Sequence, residues 1–171
     1  MQYNVIYFTQ TVEYIGRSEA FYCVPAVDYI SMVKVLIKVP KVEFKLEKGM
    51  LVRVNDDSGV IYEGVISDIS IGKEASLELS CLPLDSLLDV NVYTLSLNDT
   101  NRYLFNWIKS GMQMIRVDGK SPRFYFGNDN GIDAFNEIQA HLGDERITNI
   151  RDVLVSLLRN KGYRIDLSIN L

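Results

Sequence analysis

The side chains best suited to chemistry are scarce and far apart in this chain. It contains one histidine, His141, and two cysteines, Cys23 and Cys81. Structural zinc sites use cysteines and histidines in closely spaced pairs, and these three residues show no such spacing. We therefore predict no metal site. Cys23 and Cys81 are expected to be buried free thiols, and His141 is expected to end a helix before Leu142 and Gly143, where a cation is favoured.

Two acidic loops that contain glycine, residues 55–59 and 127–133, resemble calcium loops only in composition. A calcium loop places oxygen ligands at alternate positions and ends on an acidic residue, and neither loop keeps that pattern. Both are typical of turns. The sequence also lacks a phosphate-cradling glycine motif and a nucleophile motif. A catalytic site would need Asp129, Asp133 and His141 to converge, which we do not expect. The prediction is a protein that is not an enzyme and needs no cofactor.

The composition is that of an ordinary globular protein. The 171 residues are 47% hydrophobic and 23% charged, which predicts one compact domain or one domain with a small annex. A net charge of −4 and a pI near 5.0 disfavour nucleic acid as a partner, since nucleic-acid binders carry basic patches. The sequence has neither a signal peptide nor an apolar run of about 18 residues, so no membrane insertion is predicted.

The elements that must position any functional side chain are mostly strands. Alternation with period 2 predicts strands at residues 3–8, 11–15, 32–39, 42–46 and 60–71, with a turn at 17–19. Helical spacing of apolar residues predicts a helix over 149–160, capped by Thr148 or Asn149. We therefore predict an α+β, mainly β fold: an antiparallel β-barrel-like domain over residues 1–97 and an appended helix/strand subdomain over 98–171.

The strongest strand signal lies between residues 49 and 89. Residues 50–54 alternate, the loop at 55–59 reverses the chain, and residues 60–71 run back. Residues 77–81 alternate again, and a short helical turn follows near Leu84. We predict that this stretch is a scaffold whose turns are shaped by Gly49, Asp57, Gly59, Gly64, Asp85 and Asp89.

Aromatic residues are concentrated in the first 30 positions. Cross-strand packing is one explanation. The alternative is an interface with another protein, where tyrosine is enriched. The 32–39 strand adds lysines on the face opposite its valines. The candidate interface residues are Tyr3, Tyr7, Tyr14, Phe21, Tyr22, Lys34 and Lys38.

The scaffold stretch resembles the barrel segment of phage baseplate and tail hub proteins. It reads GMLVRVNDDSGVIYEGVISDIS, followed by LELSCLPLDSLLDVNV. The shared pattern is a glycine, an alternating strand, a polar turn, an aromatic-x-Gly-x-Ile step and a Leu-Leu-Asp ending. The matching residues are Gly49, Asp57, Gly59, Tyr62, Gly64, Ile66, Leu84, Asp85, Leu87, Leu88 and Asp89. Residues 149–171 are similar to the helix-then-strand unit that follows this barrel in such hubs.

The resemblance implies the N-terminal barrel region of a hub or tail-associated protein. Such hubs are trimers at the distal end of the tail tube. The implied function is a structural subunit of the virion tail, made in the bacterial cytoplasm and assembling as a homotrimer. Its implied partners are the tail tube or distal tail protein and other tail-tip proteins.

Two further expectations remain. Residues 163–171 alternate up to the last position, so we expect the chain to be an N-terminal fragment of a longer hub protein; the alternatives are a shortened relative of the hubs and a terminal strand docked in the sheet. The alternative function is a small-ligand- or peptide-binding β-barrel domain, which would require a concave apolar pocket with a few convergent polar groups.

Overall fold

Antiparallel strands make up most of the structure, which confirms the predicted mainly β fold. The computed structural model describes residues 3–23, 35–73, 76–93, 147–160 and 167–169. A 3-10 turn spans Leu84–Leu88, and helix α1 spans Ile150–Asn160. In chain order the strands are β1 (Tyr3–Phe8), β2 (Tyr14–Ala20), β3 (Tyr22–Cys23), β4 (Val35–Pro40), β5 (Leu51–Asp56), β6 (Gly59–Ile71), β7 (Ser76–Pro83), β8 (Asn91–Tyr93) and β9 (Ile147–Asn149).

One sheet contains seven of these strands, in the order β2-β1-β5-β6-β7-β4-β3. The strands at its two ends, β2 and β3, follow each other directly in the chain. Between them, Phe21 donates its backbone N–H to the carbonyl oxygen of Lys38 in β4, at 2.8 Å. A single stretch, residues 14–23, therefore pairs with β1 at one end of the sheet and with β4 at the other. These pairings curl the sheet into a half-barrel, which agrees with the predicted barrel-like fold.

Alternate side chains of the strands fill the inside of the curled sheet. In β4, Ile37 and Val39 are fully buried, whereas Leu36, which precedes Ile37, is exposed. In β5, Val52 pairs with Tyr7 of β1. The buried residues of this core are Val5, Tyr7, Ala20, Cys23, Val35, Ile37, Val39, Met50, Val52, Val54, Tyr62, Ile66, Leu79 and Cys81. Removal of this apolar surface from water is the main force that holds the sheet in its curled form.

The β5–β6 hairpin turns at the predicted loop. Asp56 pairs with Gly59, which leaves Asp57 and Ser58 as the turn. The Asp56 carboxylate accepts a hydrogen bond from the Ser58 N–H, at 2.7 Å. Hydrogen bonds from the Ser58 hydroxyl and N–H hold the pKa of Asp56 below its usual value. Gly59 has a φ of 124°, a backbone angle that favours glycine.

The described residues divide into two compact units. The first contains residues 3–23, 35–73, 76–86 and 167–169, and so includes the whole seven-stranded sheet. The second contains residues 87–93 and 147–160, with β8, β9 and α1. The predicted domain boundary near residue 97 lies outside the described residues.

In the second unit, β8 and β9 form an antiparallel pair and β9 leads directly into helix α1. The side-chain oxygen of Asn149 accepts a hydrogen bond from the N–H of Asp152, at 3.2 Å, which caps the helix. The predicted helix and its cap are confirmed. Its apolar stripe is buried and consists of Ile150, Val153, Leu154, Leu157 and Leu158. Within the described part of the chain, no helix has the length and apolar content that crossing a membrane requires.

Three predicted local structures are wrong. Residues 11–13, predicted as the start of a strand, form the loop before β2. Residues 17–19, predicted as a turn, lie in β2. They can do so because small side chains at Gly16, Ser18 and Ala20 alternate on the side of the sheet that the Tyr7 ring occupies. Residues 42–46, predicted as a strand, form no strand. Phe44 in this segment instead places its ring edge-on to Tyr7, with 5.2 Å between ring centroids.

Candidate functional site

Polar groups inside the barrel-like unit are held in their neutral forms. The hydroxyls of Tyr7 and Ser18 are hydrogen-bonded at 2.8 Å, and burial raises the pKa of Tyr7 to about 12. Burial also raises the pKa of Tyr62, whose buried hydroxyl has no hydrogen-bond partner among the described residues. The two cysteines are buried free thiols, as predicted, and burial raises the pKa to about 11 for Cys23 and about 12 for Cys81. A nucleophilic thiol needs a lowered pKa, so these groups act as core residues.

Among the described residues, no group of three or more His, Cys, Asp or Glu side chains is arranged to hold a metal ion. The possible catalytic residues Asp129, Asp133 and His141 lie outside the described residues, as does the loop at 127–133. The loop at 55–59 forms the end of the β5–β6 hairpin, with Asp57 and Ser58 as its turn.

The structure separates the candidate interface residues into different environments. Tyr14 and Phe21 expose 62% and 64% of their surface. Tyr3 and Lys38 are half-buried, and Tyr3 packs against the core. Tyr7 is fully buried, so its side chain belongs to the core and presents no surface to a partner.

The surroundings of the Tyr22 and Lys34 side chains lie outside the described structure. Tyr22 lies in β3, where it pairs with Lys38, and its side chain is outside the described structure. Lys34 also lies outside the described residues.

The loop between β1 and β2 holds a constrained backbone. Val12 has a φ of 66°, a left-handed conformation that is unfavourable for a β-branched residue. Its N–H donates to the carbonyl oxygen of Thr9 at 3.0 Å, and the Thr9 hydroxyl accepts the N–H of Glu13, also at 3.0 Å. Beside this loop, Tyr14 contacts the buried ring of Phe8 edge-on, with 6.5 Å between centroids. These contacts fix the position of the exposed Tyr14 ring.

A groove of about 510 Å³ separates β2 from the segment that follows β4. Residues 16–19 form one side and residues 40–44 form the other. The Phe44 ring lies so close to Gly16 that a Cβ there would approach one ring carbon to 2.5 Å. Strand β2 pairs with β1 on its other side, and no described strand pairs with the side that faces the groove. The groove is therefore an interruption in the pairing of the barrel wall.

The outer face of the β5–β6 hairpin carries a nearly buried ion pair. Nε of Arg53 lies 2.6 Å from Oε1 of Glu63, and the two side chains are only 15% and 11% exposed. Both groups also bind the backbone of a distant residue: Nη2 of Arg53 donates to the carbonyl oxygen of Ile169, and the N–H of Ile169 donates to Oε2 of Glu63 at 3.1 Å. We call this arrangement the Arg53–Glu63 clamp. Sequence reasoning missed it, although two opposite charges placed almost symmetrically about the hairpin turn were a usable signal.

Five of the six predicted scaffold residues lie where the chain turns or where two segments pass close to each other. Gly49 precedes β5 and donates its N–H to the carbonyl oxygen of Ile66, at 2.8 Å. Gly64 lies in β6, where a Cβ would overlap the carbonyl oxygen of Leu82 in β7. Asp85 lies in the first turn of the 3-10 element. Asp57 and Gly59 lie at the β5–β6 turn described above.

Asp89 belongs to the second unit and connects its parts. Its carboxylate accepts a hydrogen bond from the side-chain amide of Asn149, at 2.8 Å. In the same place, the N–H of Ile150 donates to the carbonyl oxygen of Val90, at 3.0 Å. These bonds join the segment before β8 to the start of helix α1.

Comparisons with protein-family models, with curated proteins and with solved structures give no match.

Proposed function

We propose that this chain is a structural, non-enzymatic subunit of a phage or prophage tail, a baseplate hub or tail-tip protein that connects the tail tube or distal tail protein to the host-facing tip. The observation that carries the proposal is the role of the stretch that resembles the hub barrel. Residues 49–89 supply β5, β6 and β7, which form the centre of a barrel-like wall, and the 3-10 turn that follows β7.

The packing of this unit supports binding to other proteins through the outer surface of the sheet. Large side chains fill the interior, including the fully buried Tyr7, Ile37, Ile66 and Leu79. A filled barrel offers its outer faces and strand edges for binding, and an edge strand readily pairs with another chain. A hub works through such contacts between neighbouring proteins.

Two features of the wall suit an assembly interface. Tyr14 and Phe21 are large, exposed aromatic residues, the first at the start of β2 and the second one residue after its end. The side of β2 that faces the groove has no described strand partner. We propose that this region contacts other copies in a homotrimer and contacts the tail tube or distal tail protein. A stable interface of this type buries on the order of 1,600 Å².

Native mass spectrometry tests the proposal. The purified chain is measured alone and together with tail-tube and distal tail proteins encoded beside it. We expect a trimer, or a stable complex with one of these proteins. Tyr14→Ser combined with Phe21→Ser is expected to weaken it, whereas the control Val60→Ser, at a residue 55% exposed on another hairpin, is expected to leave it unchanged. A chain that stays monomeric at high concentration and binds none of these proteins refutes the proposal.

The groove beside β2 favours a second candidate function, peptide binding. Its volume of about 510 Å³, its Phe44 floor and the adjacent unpaired side of β2 suit an extended peptide that adds a strand to the sheet. A small ligand inside the barrel is disfavoured, because large side chains occupy that space. Backbone amide shifts of residues 16–19 on addition of a strand-forming peptide library test this function. Unchanged shifts with every member of the library would argue against it.

A further inference from the structure

The Arg53–Glu63 clamp has the chemistry of a peptide-binding site. It satisfies the N–H and the carbonyl oxygen of a single residue, Ile169, with one carboxylate and one guanidinium. Charged groups make stronger hydrogen bonds to such backbone atoms than neutral groups do. Ile169 itself is 6% exposed, so its aliphatic side chain is also buried. The site therefore binds a single residue through its main-chain N–H and carbonyl oxygen, and the aliphatic side chain of that residue is buried.

A neighbouring group extends this site along the strand. Asn55 lies two residues beyond Arg53 and on the same face of β5. Its side-chain oxygen is buried and has no hydrogen-bond partner among the described residues. A buried acceptor is costly to leave unpaired, and a further backbone N–H of an extended segment is the type of donor that it lacks.

The clamp and its occupant lie far apart in the sequence. The two residues joined by the Arg53 bond are 116 positions apart, and Ser168 beside the bound residue is exposed. The bound segment therefore lies at the surface. The atoms that the clamp binds, the N–H and the carbonyl oxygen of Ile169, are the same in every copy of the protein. Nothing in the contact distinguishes the segment of its own chain from that of another.

We propose that the Arg53–Glu63 clamp is an exchangeable site that, when copies of the protein are brought together, binds residues 167–169 of a second copy. Such exchange of an identical element is a low-cost route to self-association. The inference rests on the proposed function for the reason why copies assemble. In a single chain the tethered segment has an effective concentration on the order of millimolar, so it keeps the site occupied until the local concentration of copies is comparable.

A complementation experiment with two variants removes that competition. The first carries Ile169→Asp, which disables the segment because a charge in this buried position is strongly disfavoured. The second carries Arg53→Met with Glu63→Met, which removes the clamp but keeps apolar side chains of similar length in place. Neither variant can close its own clamp. In a mixture, the clamp of the first is expected to bind the segment of the second.

Native mass spectrometry of the mixture is expected to reveal a one-to-one pair that neither variant forms alone. Adding Ser168→Ala to the second variant is the matched control and is expected to preserve the pair. Adding Ile169→Asp to the second variant is expected to abolish it. A mixture that stays monomeric near millimolar chain concentration overturns the proposal, as does a pair that survives this last substitution.

Two additional readouts keep the result decisive. Circular dichroism checks that each variant is folded, and a synthetic peptide of residues 164–171 replaces the second variant if that variant is unfolded. Binding of the peptide to the Ile169→Asp protein supports the site, and absence of binding overturns it. A pair that forms although the wild-type chain makes no trimer and binds no tail protein would support the site and refute the proposed function. A trimer without the pair would do the reverse.

Discussion

Ion pairs of equal length in this protein are expected to differ several-fold in their contribution to stability. Arg53–Glu63 and Lys48–Asp68 both have N–O distances of 2.6 Å. Their side chains are 15% and 11% exposed in the first pair but 66% and 53% exposed in the second. Water and salt screen the second pair, and such surface pairs contribute about 0–1 kcal/mol. We therefore expect Lys48→Ala to change the free energy of unfolding by less than about 1 kcal/mol.

Arg53→Ala is expected to be far more costly. It leaves the Glu63 carboxylate nearly buried and without its guanidinium partner, and it removes the bond to the Ile169 carbonyl oxygen. Breaking a buried pair by removing one partner costs about 3–5 kcal/mol, and the remaining exposure places this site near the lower limit, at about 3 kcal/mol. The double change Arg53→Met with Glu63→Met removes both charges together, so no carboxylate is left unpaired, but it also removes both hydrogen bonds to the backbone of Ile169. It is therefore expected to lie about 1–2 kcal/mol below the wild type, between Lys48→Ala and Arg53→Ala.

Urea unfolding followed by circular dichroism measures these values, with the slope m compared among all variants. The expected order of stability is wild type and Lys48→Ala close together, the double methionine variant below them, and Arg53→Ala lowest. An Arg53→Ala cost equal to that of Lys48→Ala would refute the argument that burial sets the energy of the pair. A double variant as unstable as Arg53→Ala would show that packing, and not an unpaired charge, explains the loss.

Three other perturbations have defined outcomes. Gly64→Ala is expected to destabilise the fold by roughly 1–3 kcal/mol, because its Cβ would overlap a β7 carbonyl oxygen, and an unchanged urea midpoint would contradict this. Ile37→Ala, at a fully buried residue, is expected to cost about 2–5 kcal/mol of unfolding free energy. The control Leu36→Ala, at the neighbouring residue that is 41% exposed, is expected to change stability little. Equal effects would place Ile37 outside the core. Cys23 and Cys81 have pKa values raised from 9.0 to about 11 and about 12, so the stability that their neutral forms contribute is complete below pH 9 and is lost as the pH rises through 11 and 12. Thermal melts between pH 8 and 12 test this: replacing both cysteines by alanine is expected to reduce the decline, and the part that remains comes from Tyr7 and Tyr62, whose pKa values burial also raises.

Local sequence patterns predicted the elements that are stabilised by contacts between residues close together in the sequence. The β5–β6 hairpin follows from alternation on both sides of a turn rich in Asp and Gly. Helix α1 follows from its apolar stripe and from Asn149 as its cap. In each case, residues within a few positions of one another carry both the signal and the stabilising contacts.

The features that the sequence did not predict depend on distant parts of the chain. Residues 17–19 look polar and turn-like, but a strand forms because the Tyr7 ring needs small neighbours across the sheet. Tyr7 was an interface candidate because its residue type suits both surfaces and cores, and only the closed sheet places it inside. The clamp joins residues 116 positions apart, a distance over which alternation and capping carry no information.

Because residues 14–23 pair with strands at both ends of the sheet, they determine which part of the sheet unfolds first. This stretch pairs with β1 at one end of the sheet and with β4 at the other. Separating either pair of strands therefore displaces the same ten-residue stretch. The amide hydrogens of β2, β3 and their partners in β4 are therefore expected to exchange with solvent as one cooperative group. The β5–β6–β7 meander, whose pairings do not involve this stretch, is expected to retain its protection after that group has opened.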